Sequence, residues 1–539
     1  MTLVKAPEAR IQAWEEAKEA TPERMQRARL ALEEIRAGAP VFEALRHHPF
    51  QGEGGGYIGK QMLVAAYHEL VQAGELAEDA ALLARIRLKP MRTLSGVSVV
   101  TVLTKPYPCP GKCVFCPTDV RMPKSYLPDE PGAMRALQHE FDPYAQVRSR
   151  LDSLEAVGHP TDKIEFLILG GTWSSYKRDY QEQFILRMFD ALNAVDSSSL
   201  EEAQHINEAT THRNVGLAIE TRPDHIDLDE IAWLRYLGVT KVQLGAQSFD
   251  DHILDLNKRG HSAQETRRAA DLLRAAGFKI VLHWMPNLLG ATLESDRQDF
   301  AKLWQGYCPD ELKIYPTQLL ENAELYLHWQ RGEYRPYSTE ELVELLADLK
   351  TTIPEYCRVN RVIRDIPSTN VVEGNKRTSL RMDVHEVMRA RGQRCRCIRC
   401  REVRGREVQS DQLQLDDVVY STDFAEEHLL SFVTLQDCLA GFLRLSLPGP
   451  ESLATGLADL GGAALIREVH IYGQSLEVGK DSPGAAQHIG LGTQLLERAE
   501  DLAREAGFAR MAVIAAVGTR RYYAERGYQM GDLYMIKSL

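Results

Sequence analysis

Three cysteines, Cys109, Cys113 and Cys116, stand in the run Y-P-C-P-G-K-C-V-F-C-P. Thiolates are soft donors that suit iron–sulfur clusters. C-x3-C-x2-C spacing on one loop ligates three irons of a four-iron cluster and leaves the fourth open. The competing reading is a zinc loop or a set of reduced thiols, which a nearby C-x2-C or histidine pair would support. A second trio, Cys395, Cys397 and Cys400, lies in R-C-R-C-I-R-C-R. It offers three soft ligands where a structural zinc takes four. Cys308 is the best remaining donor, with His385 and Cys357 as rivals; metal-free thiols and a second iron–sulfur cluster are the alternatives. The interleaved arginines cannot all be buried, so they predict a positive edge suited to RNA phosphates. A third feature is Q-H-I-G-L-G, Gln487 to Gly492, which opens a helical stretch. Glycines there let the backbone approach a pyrophosphate, and the helix N-terminus supplies N–H donors; Gln487, Gly490 and Gly492 are the candidates.

These residues need elements to hold them. From Val97 the run V-S-V-V-T-V-L-T reads as a buried strand leading into the cysteine loop. Further strand candidates, Ile164–Leu169, Val215–Ile219, Lys241–Leu244, Lys279–Leu282 and Glu311–Tyr315, alternate with helical stretches. Six such units predict a parallel sheet in a partial (β/α) barrel, with its chemistry at the C-terminal strand ends. G-G-T-W, E-T-R-P-D, G-A-Q-S and H-W-M-P all fall at those ends. Lys313 and Tyr315 are two apart on one strand and share a face. Residues 8 to 48 and 60 to 83 read as amphipathic helix, with a glycine cluster between them and the basic run Arg85, Arg87, Lys89, Arg92 after them. The expected organisation is a helical N-terminal region over 1–90, the barrel over 91–340, a basic connector over 341–410 and a mixed α+β domain over 411–539.

The chain has 539 residues, 44% of them apolar, as in an ordinary folded protein of several domains. No apolar run reaches membrane-spanning length and no secretory leader is read at the N-terminus. Nine cysteines grouped in two clusters plus singles fit metal sites in a reducing compartment, so a cytoplasmic location is expected. The net charge of −12 disfavours nucleic acid as a partner, but charge is uneven. Between Lys376 and Arg406 basic residues outnumber acidic ones eleven to three.

The cysteine loop resembles that of radical S-adenosylmethionine (SAM) enzymes, in which the open iron holds SAM. The resemblance implies that Phe115 packs near the adenine, that Gly170 and Gly171 meet the SAM amino group, and that Glu220 and Gln247 contact ribose and carboxylate. Q-x-x-G-x-G between a strand and a helix resembles the acyl-CoA loop of GNAT-type acetyltransferases. It implies that Tyr522 or Tyr523, in T-R-R-Y-Y, protonates a departing thiolate or holds a thioester carbonyl. The two half-buried helix tyrosines could also be purely structural. R-T-L-S-G-V-S-V-V-T-V-L-T, E-P-G-A-M-R-A, F-D-P-Y-A-Q-V-R-S-R, I-E-T-R-P-D, N-K-R-G-H, L-K-I-Y-P-T, I-R-D-I-P and V-G-T-R-R-Y-Y together resemble the catalytic-subunit family of Elongator, in a stand-alone bacterial or archaeal form. That resemblance implies radical SAM carboxymethylation of a tRNA wobble uridine at C5. A 4Fe-4S cluster, SAM, acetyl-CoA as carbon donor and a structural zinc would take part. Its eukaryotic members space the first two cluster cysteines more widely than here. Lys279, Lys313 and Tyr315 become candidates for holding substrate. The implied partners are a tRNA anticodon stem-loop and an electron donor of unknown identity, with the chain a monomer or homodimer. The alternative is a protein-lysine acetyltransferase with a structural radical-SAM-like domain.

Overall fold

Two kinds of apolar pattern, period-two runs and helical stripes, alternate along the chain and fold accordingly. The computed structural model describes residues 20–49, 56–404, 408, 410–472 and 490–539. Gln487 and most of the glycine cluster before Tyr57 lie outside the described residues. The chain divides into two units: residues up to Ser98 with Ser149–Thr161, and Val99–Arg148 with Asp162–Leu539.

In the first unit Thr21 caps the helix Pro22–Arg36 by accepting from the Arg24 amide. A second helix, Val41–His47, follows Pro40. Where one helix was expected over 60 to 83 there are two, Lys60–Gln72 and Ala80–Ile86. Gly74, in the left-handed region at φ 72°, ends the first of them. Ala28, Leu32, Ile35, Leu63, Ala66 and Tyr67 form the core. Of the basic run, Arg85 and Lys89 are exposed. Arg87 is held within the unit, its Nε donating to the Gly158 carbonyl at 2.7 Å.

The second unit holds two seven-stranded sheets. The first runs in sequence order: β1 (Ser98–Leu103), β2 (Lys163–Leu169), β3 (Arg213–Thr221), β4 (Lys241–Gln247), β5 (Lys279–Trp284), β6 (Glu311–Ile314) and β7 (Arg358–Arg361). All pairs from β2/β3 to β6/β7 are parallel. This is the expected partial barrel with one strand more than the six repeated units. The seventh, R-V-N-R, lies in the segment read as connector. Helices that return the chain start at sharp caps, such as the Ser262–Glu265 capping box of Ala263–Ala275.

The second sheet is mixed, in the order β13 (Gln529–Met530), β14 (Met535–Ser538), β12 (Arg510–Val513), β11 (Ala463–Ile471), β10 (Leu439–Pro448), β9 (Ala425–Thr434), β8 (Leu413–Ser421). Among the described residues of this sheet, only β11 and β12 pair in parallel. The helix Leu491–Glu505 covers it with Leu491, Leu495, Leu496, Ala499 and Ala503.

The mixed sheet packs on the N-terminal ends of the barrel strands through a buried ionic knot. Asp310, just before β6, accepts from both Nη atoms of Arg467 on β11 at 2.7 and 2.8 Å, and from the Ile280 amide of β5 at 2.9 Å. Arg467 also donates to Glu427 of β9 at 3.1 Å, and Arg444 of β10 donates to the Tyr356 carbonyl at 2.7 Å. Burial opposes ionisation of Asp310, but Arg467, Arg444 and Arg274 outweigh it and hold the carboxyl well below the usual range.

Removing one partner of a buried pair strands the other. Arg467→Met should therefore lose about 3–5 kcal/mol of stability in urea titration. Arg498→Ala, which breaks an exposed pair with Glu505, should lose less than about 1 kcal/mol.

Candidate active site

Strand β1 delivers the cysteine loop to the C-terminal rim of the barrel. The loop is closed locally: the Gly111 amide faces Cys109 Sγ at 3.4 Å, and the Cys116 amide donates to the Cys113 carbonyl at 3.2 Å. Gly111 is required by space, since a Cβ there would lie 2.8 Å from Arg222 Nη1 and about equally close, at 3.5 and 3.6 Å, to the sulfurs of Cys113 and Cys109. Arg259 Nη1 donates to Cys113 Sγ at 3.0 Å. The Cys116 thiol, with help from Arg259 and Arg222 against burial, pulls Cys113 down to about 5, so it stands as a thiolate.

Around this loop are buried polar atoms without a protein partner: Arg222 Nη1, Arg259 Nε and Gln247 Oε1. Arg259, and Arg222 with one nitrogen left over from its pair with Asp224 at 2.9 Å, set donors beside three thiols, as a cluster with an anionic thiolate shell calls for. The cysteines also gather more loosely than single-ion ligands do. Among the described residues, the trio whose ligand atoms all lie within 4.8 Å of one another is Cys395, Cys397 and Cys400. The residues at the rim therefore fit an iron–sulfur cluster, and Phe115 packs beneath them with Ile253, Leu288 and Leu319.

Other candidates reach the same rim from successive strands. Gly170 and Gly171 follow β2 with φ of 140° and 89°, and a Cβ on Gly170 would fall 1.8 Å from Thr104 Oγ1. Gln247 ends β4 with φ 72°. Thr104, Ile168, Gly170, Trp173, Tyr176 and Glu220 meet at a tightly packed crevice at the strand ends. Glu220, near the end of β3, accepts from Lys313 Nζ at 2.9 Å and Tyr126 Oη at 3.0 Å, with His283 Nε2 at 3.8 Å. Burial pushes this carboxyl up, yet Lys313 and then His283 overcome it and hold it down to about 2. Tyr315 packs edge-on to His283, with ring centres 5.4 Å apart. Lys313 and Tyr315 thus face the barrel interior.

Lys279 does not join them. It begins β5 at the opposite end of the barrel, where it pairs with Glu468 of β11 and lies 3.9 Å from Glu311. Lys241 and Glu165, 2.5 Å apart, complete that ionic layer.

At the mixed domain, Gly490 caps the helix Leu491–Glu505 in the left-handed region. A Cβ on Gly492 would lie 2.6 Å from Tyr522 Oη. The Tyr522 ring lies 3.7 Å under the Arg526 guanidinium, and burial raises its hydroxyl pKa. Tyr523 is buried instead, edge-on to Tyr528 at 5.8 Å.

At the second cysteine trio, Cys308 is absent from the group: its sulfur faces the Trp304 carbonyl at 3.9 Å. His385 is also outside that group, but the helix Leu380–Ala390 brings its Nε2 to 3.8 Å from Cys400 Sγ. The neighbouring arginines divide. Arg401 is buried between Glu355 and Asp437, while Arg394 and Arg396 are exposed, with side-chain accessibilities of 68% and 49%.

The sequence reading assigned no role to Arg222 or Arg259, although both lie in quoted motifs, E-T-R-P-D and N-K-R-G-H. Tyr126 was likewise missed, because nothing near it in sequence links it to Glu220.

Two family models match the chain: the Radical SAM superfamily over residues 107–303, and the Radical_SAM C-terminal domain over 309–390. Over 457 residues the chain is 43% identical to the tRNA uridine(34) acetyltransferase of Dehalococcoides mccartyi, covering 84% of this chain and 99% of that protein. It is 36% identical over 477 residues to Elongator complex protein 3 of Homo sapiens, covering 85% and 87%. Among solved structures, the archaeal Methanocaldococcus infernus Elp3 with an N-terminal deletion superposes with a TM-score of 0.71 at 38% identity, over 82% of this chain and 99% of that one.

Glu220 ionises at about 2 here against an ordinary 4.5. Its charged form therefore stabilises the fold fully above about pH 4.5, and that contribution is lost as the pH falls through about 2. In urea titrations the stability gap between the parent and Glu220→Gln should narrow between about pH 5 and pH 3; a constant gap would contradict the Lys313–Glu220 assignment.

Proposed function

The chain belongs to the family of tRNA uridine(34) acetyltransferases and Elongator complex protein 3, and on that premise we propose that it carboxymethylates C5 of the tRNA wobble uridine with acetyl-CoA as carbon donor. It is a radical SAM enzyme that modifies the wobble uridine of tRNA. The observation that carries the reading is the cysteine loop on the rim of a barrel whose other end packs on an acetyltransferase-type sheet. C5 of uridine is too weak a nucleophile to take an unactivated acetyl methyl group. When bound, the cluster and SAM supply one-electron chemistry able to take hydrogen from such a methyl.

Cys109, Cys113 and Cys116 would hold the cluster, with Arg259 and Arg222 balancing its charge. Gly170 and Gly171 leave room for the SAM amino group to approach the backbone, and Gln247 offers an unpartnered carbonyl oxygen. Glu220, held as a carboxylate by Lys313, is the fixed acceptor at the strand ends. Tyr315 and His283 wall the interior and exclude water. At the other domain Gly490 and Gly492 expose the helix N-terminus to the CoA pyrophosphate. Tyr522 keeps its proton and is placed to hold the thioester carbonyl or to protonate the departing thiolate; Tyr523 packs in the core. Cys395, Cys397, Cys400 and His385 make a Cys3His set for a structural zinc. The exposed arginines beside it suit tRNA phosphates. The protein-lysine acetyltransferase reading is not favoured, because relatives matching nearly end to end are named for tRNA uridine.

Oxygen-free, cluster-loaded enzyme given SAM, reductant, acetyl-CoA and tRNA should yield carboxymethyluridine at the wobble position by nucleoside mass spectrometry. Cys113→Ala should yield none; product that survives in that variant overturns the proposal. Tyr522→Phe should retain SAM cleavage and lose about 10²–10⁴-fold in product formation if the hydroxyl acts as an acid.

By elemental analysis the purified chain should hold about one zinc. Cys308→Ala should retain it and His385→Ala should lose most of it.

A further inference from the structure

A file of aromatic rings runs from the core past the strand ends to the surface beside the cysteine loop. Phe184, Tyr180, Tyr176 and Tyr107 follow one another with centre-to-centre distances of 5.6, 5.1 and 4.7 Å. The last two steps are near-parallel, at 22° and 30°. Tyr176 is buried and lines the crevice that Glu220 also lines. Its hydroxyl is fixed by Thr104 Oγ1 at 2.7 Å and the Lys105 carbonyl at 2.7 Å. Tyr107, two residues before Cys109, ends the file and is 36% exposed. Among the described residues no further ring packs on it.

The surroundings are basic. Lys105, Lys112, Lys177 and Arg178 are exposed; Asp179 is exposed beside them, Glu230 faces Arg178, and Asp224 is paired with Arg222. Lys105 Nζ lies 4.7 Å from the Tyr180 ring, and the Arg178 guanidinium lies 5.2 Å from Trp233. Lys105, Lys112 and Lys177 form no salt bridge among the described residues. On a chain with a net charge of −12, this is a local reversal of sign at the mouth of the barrel.

We infer that Tyr107 is a stacking platform for an unpaired base of the anticodon loop, with Lys105, Lys112 and Lys177 facing the adjoining phosphates. The inference rests on the tRNA reading above and deepens it. A base can reach the barrel mouth only by leaving its neighbours, and an outward ring replaces the stacking it gives up. The terminal ring of a near-parallel file presents the next plane of the stack, which a flat base can occupy. Because Tyr107 rides on the cluster loop, a base stacked on it lies beside the strand ends that carry Glu220 and face Tyr176. Charge alone would serve an acidic electron-donor protein equally well, but the ring file adds nothing to such a contact.

The test uses full-length, cluster-loaded enzyme with an anticodon stem-loop RNA, and dithionite as reductant so that no donor protein is needed. Tyr107→Ala should raise the KM for RNA roughly 5- to 100-fold. Its iron content, its RNA-independent SAM cleavage and its kcat at saturating RNA should stay near those of the parent. Tyr107→Phe, which keeps the ring, should stay within about twofold of the parent. A parental KM for Tyr107→Ala overturns the inference. So does a defect seen only when a protein donor replaces dithionite, which would assign the patch to that donor. If the parent itself modifies no uridine, the tRNA reading fails instead. Anisotropy of the labelled stem-loop then decides Tyr107: weaker binding in the Ala variant and parental binding in the Phe variant support it, and equal binding in all three overturns it.

Discussion

A buried carboxylate lies at the centre of the contact between the barrel and the mixed sheet. Asp310 precedes β6, accepts from the backbone of β5, and takes both Nη atoms of Arg467 from the mixed sheet. Neither side chain of the pair is exposed. A charge in that position must be matched in sign and direction, so the two sheets meet in one register. Replacing such a pair by apolar residues is often neutral for stability. What the knot contributes here is orientation: the acetyltransferase-type sheet is held at the N-terminal strand ends while the cysteine loop lies at the C-terminal ends.

The interior between those ends is unusual. Barrels are ordinarily filled with layers of branched aliphatic side chains. This one carries Glu165, Lys241, Lys279 and Glu311 at one end and Glu220, Lys313 and His283 at the other. Each charge is matched by a neighbour, which keeps the cost of burial tolerable and leaves the strand-end groups in defined protonation states. Glu220 stays ionised through its contact with Lys313, and burial with the nearby Lys313 ammonium keeps His283 neutral, pushed down to about 3. The rim thereby offers donors and acceptors in fixed positions.

The parts that were legible in the sequence are those whose function is local. Cys109, Cys113 and Cys116 stand within one loop, and Gly170 and Gly171 were singled out through the radical SAM resemblance, their positive φ of 140° and 89° being a property of the fold. The first six barrel strands stood out because each carries apolar residues in a short run or in alternation, between helical stretches. β7 did not, because R-V-N-R faces ionic neighbours and carries no apolar alternation; Arg358 pairs with Glu402 and Tyr472. Arg259 was hidden for a different reason. Its partner Cys113 lies far away in sequence, and only the fold brings them to 3.0 Å. The neighbours of Cys400 turned on the same point: of the candidate donors, it is the helix carrying His385 that the fold brings to 3.8 Å from that sulfur. Helix register likewise separated Tyr522, against Gly492, from the packed Tyr523.

The central claim is that the two ends of this molecule act on one acetyl group. Acetyl-CoA deuterated in its methyl group, supplied with SAM, reductant and tRNA to oxygen-free enzyme, tests it most directly by mass spectrometry of the 5′-deoxyadenosine released. Deuterium in that product, appearing only when tRNA is present, is the predicted result. Deoxyadenosine that stays unlabelled while modified tRNA accumulates would contradict the claim.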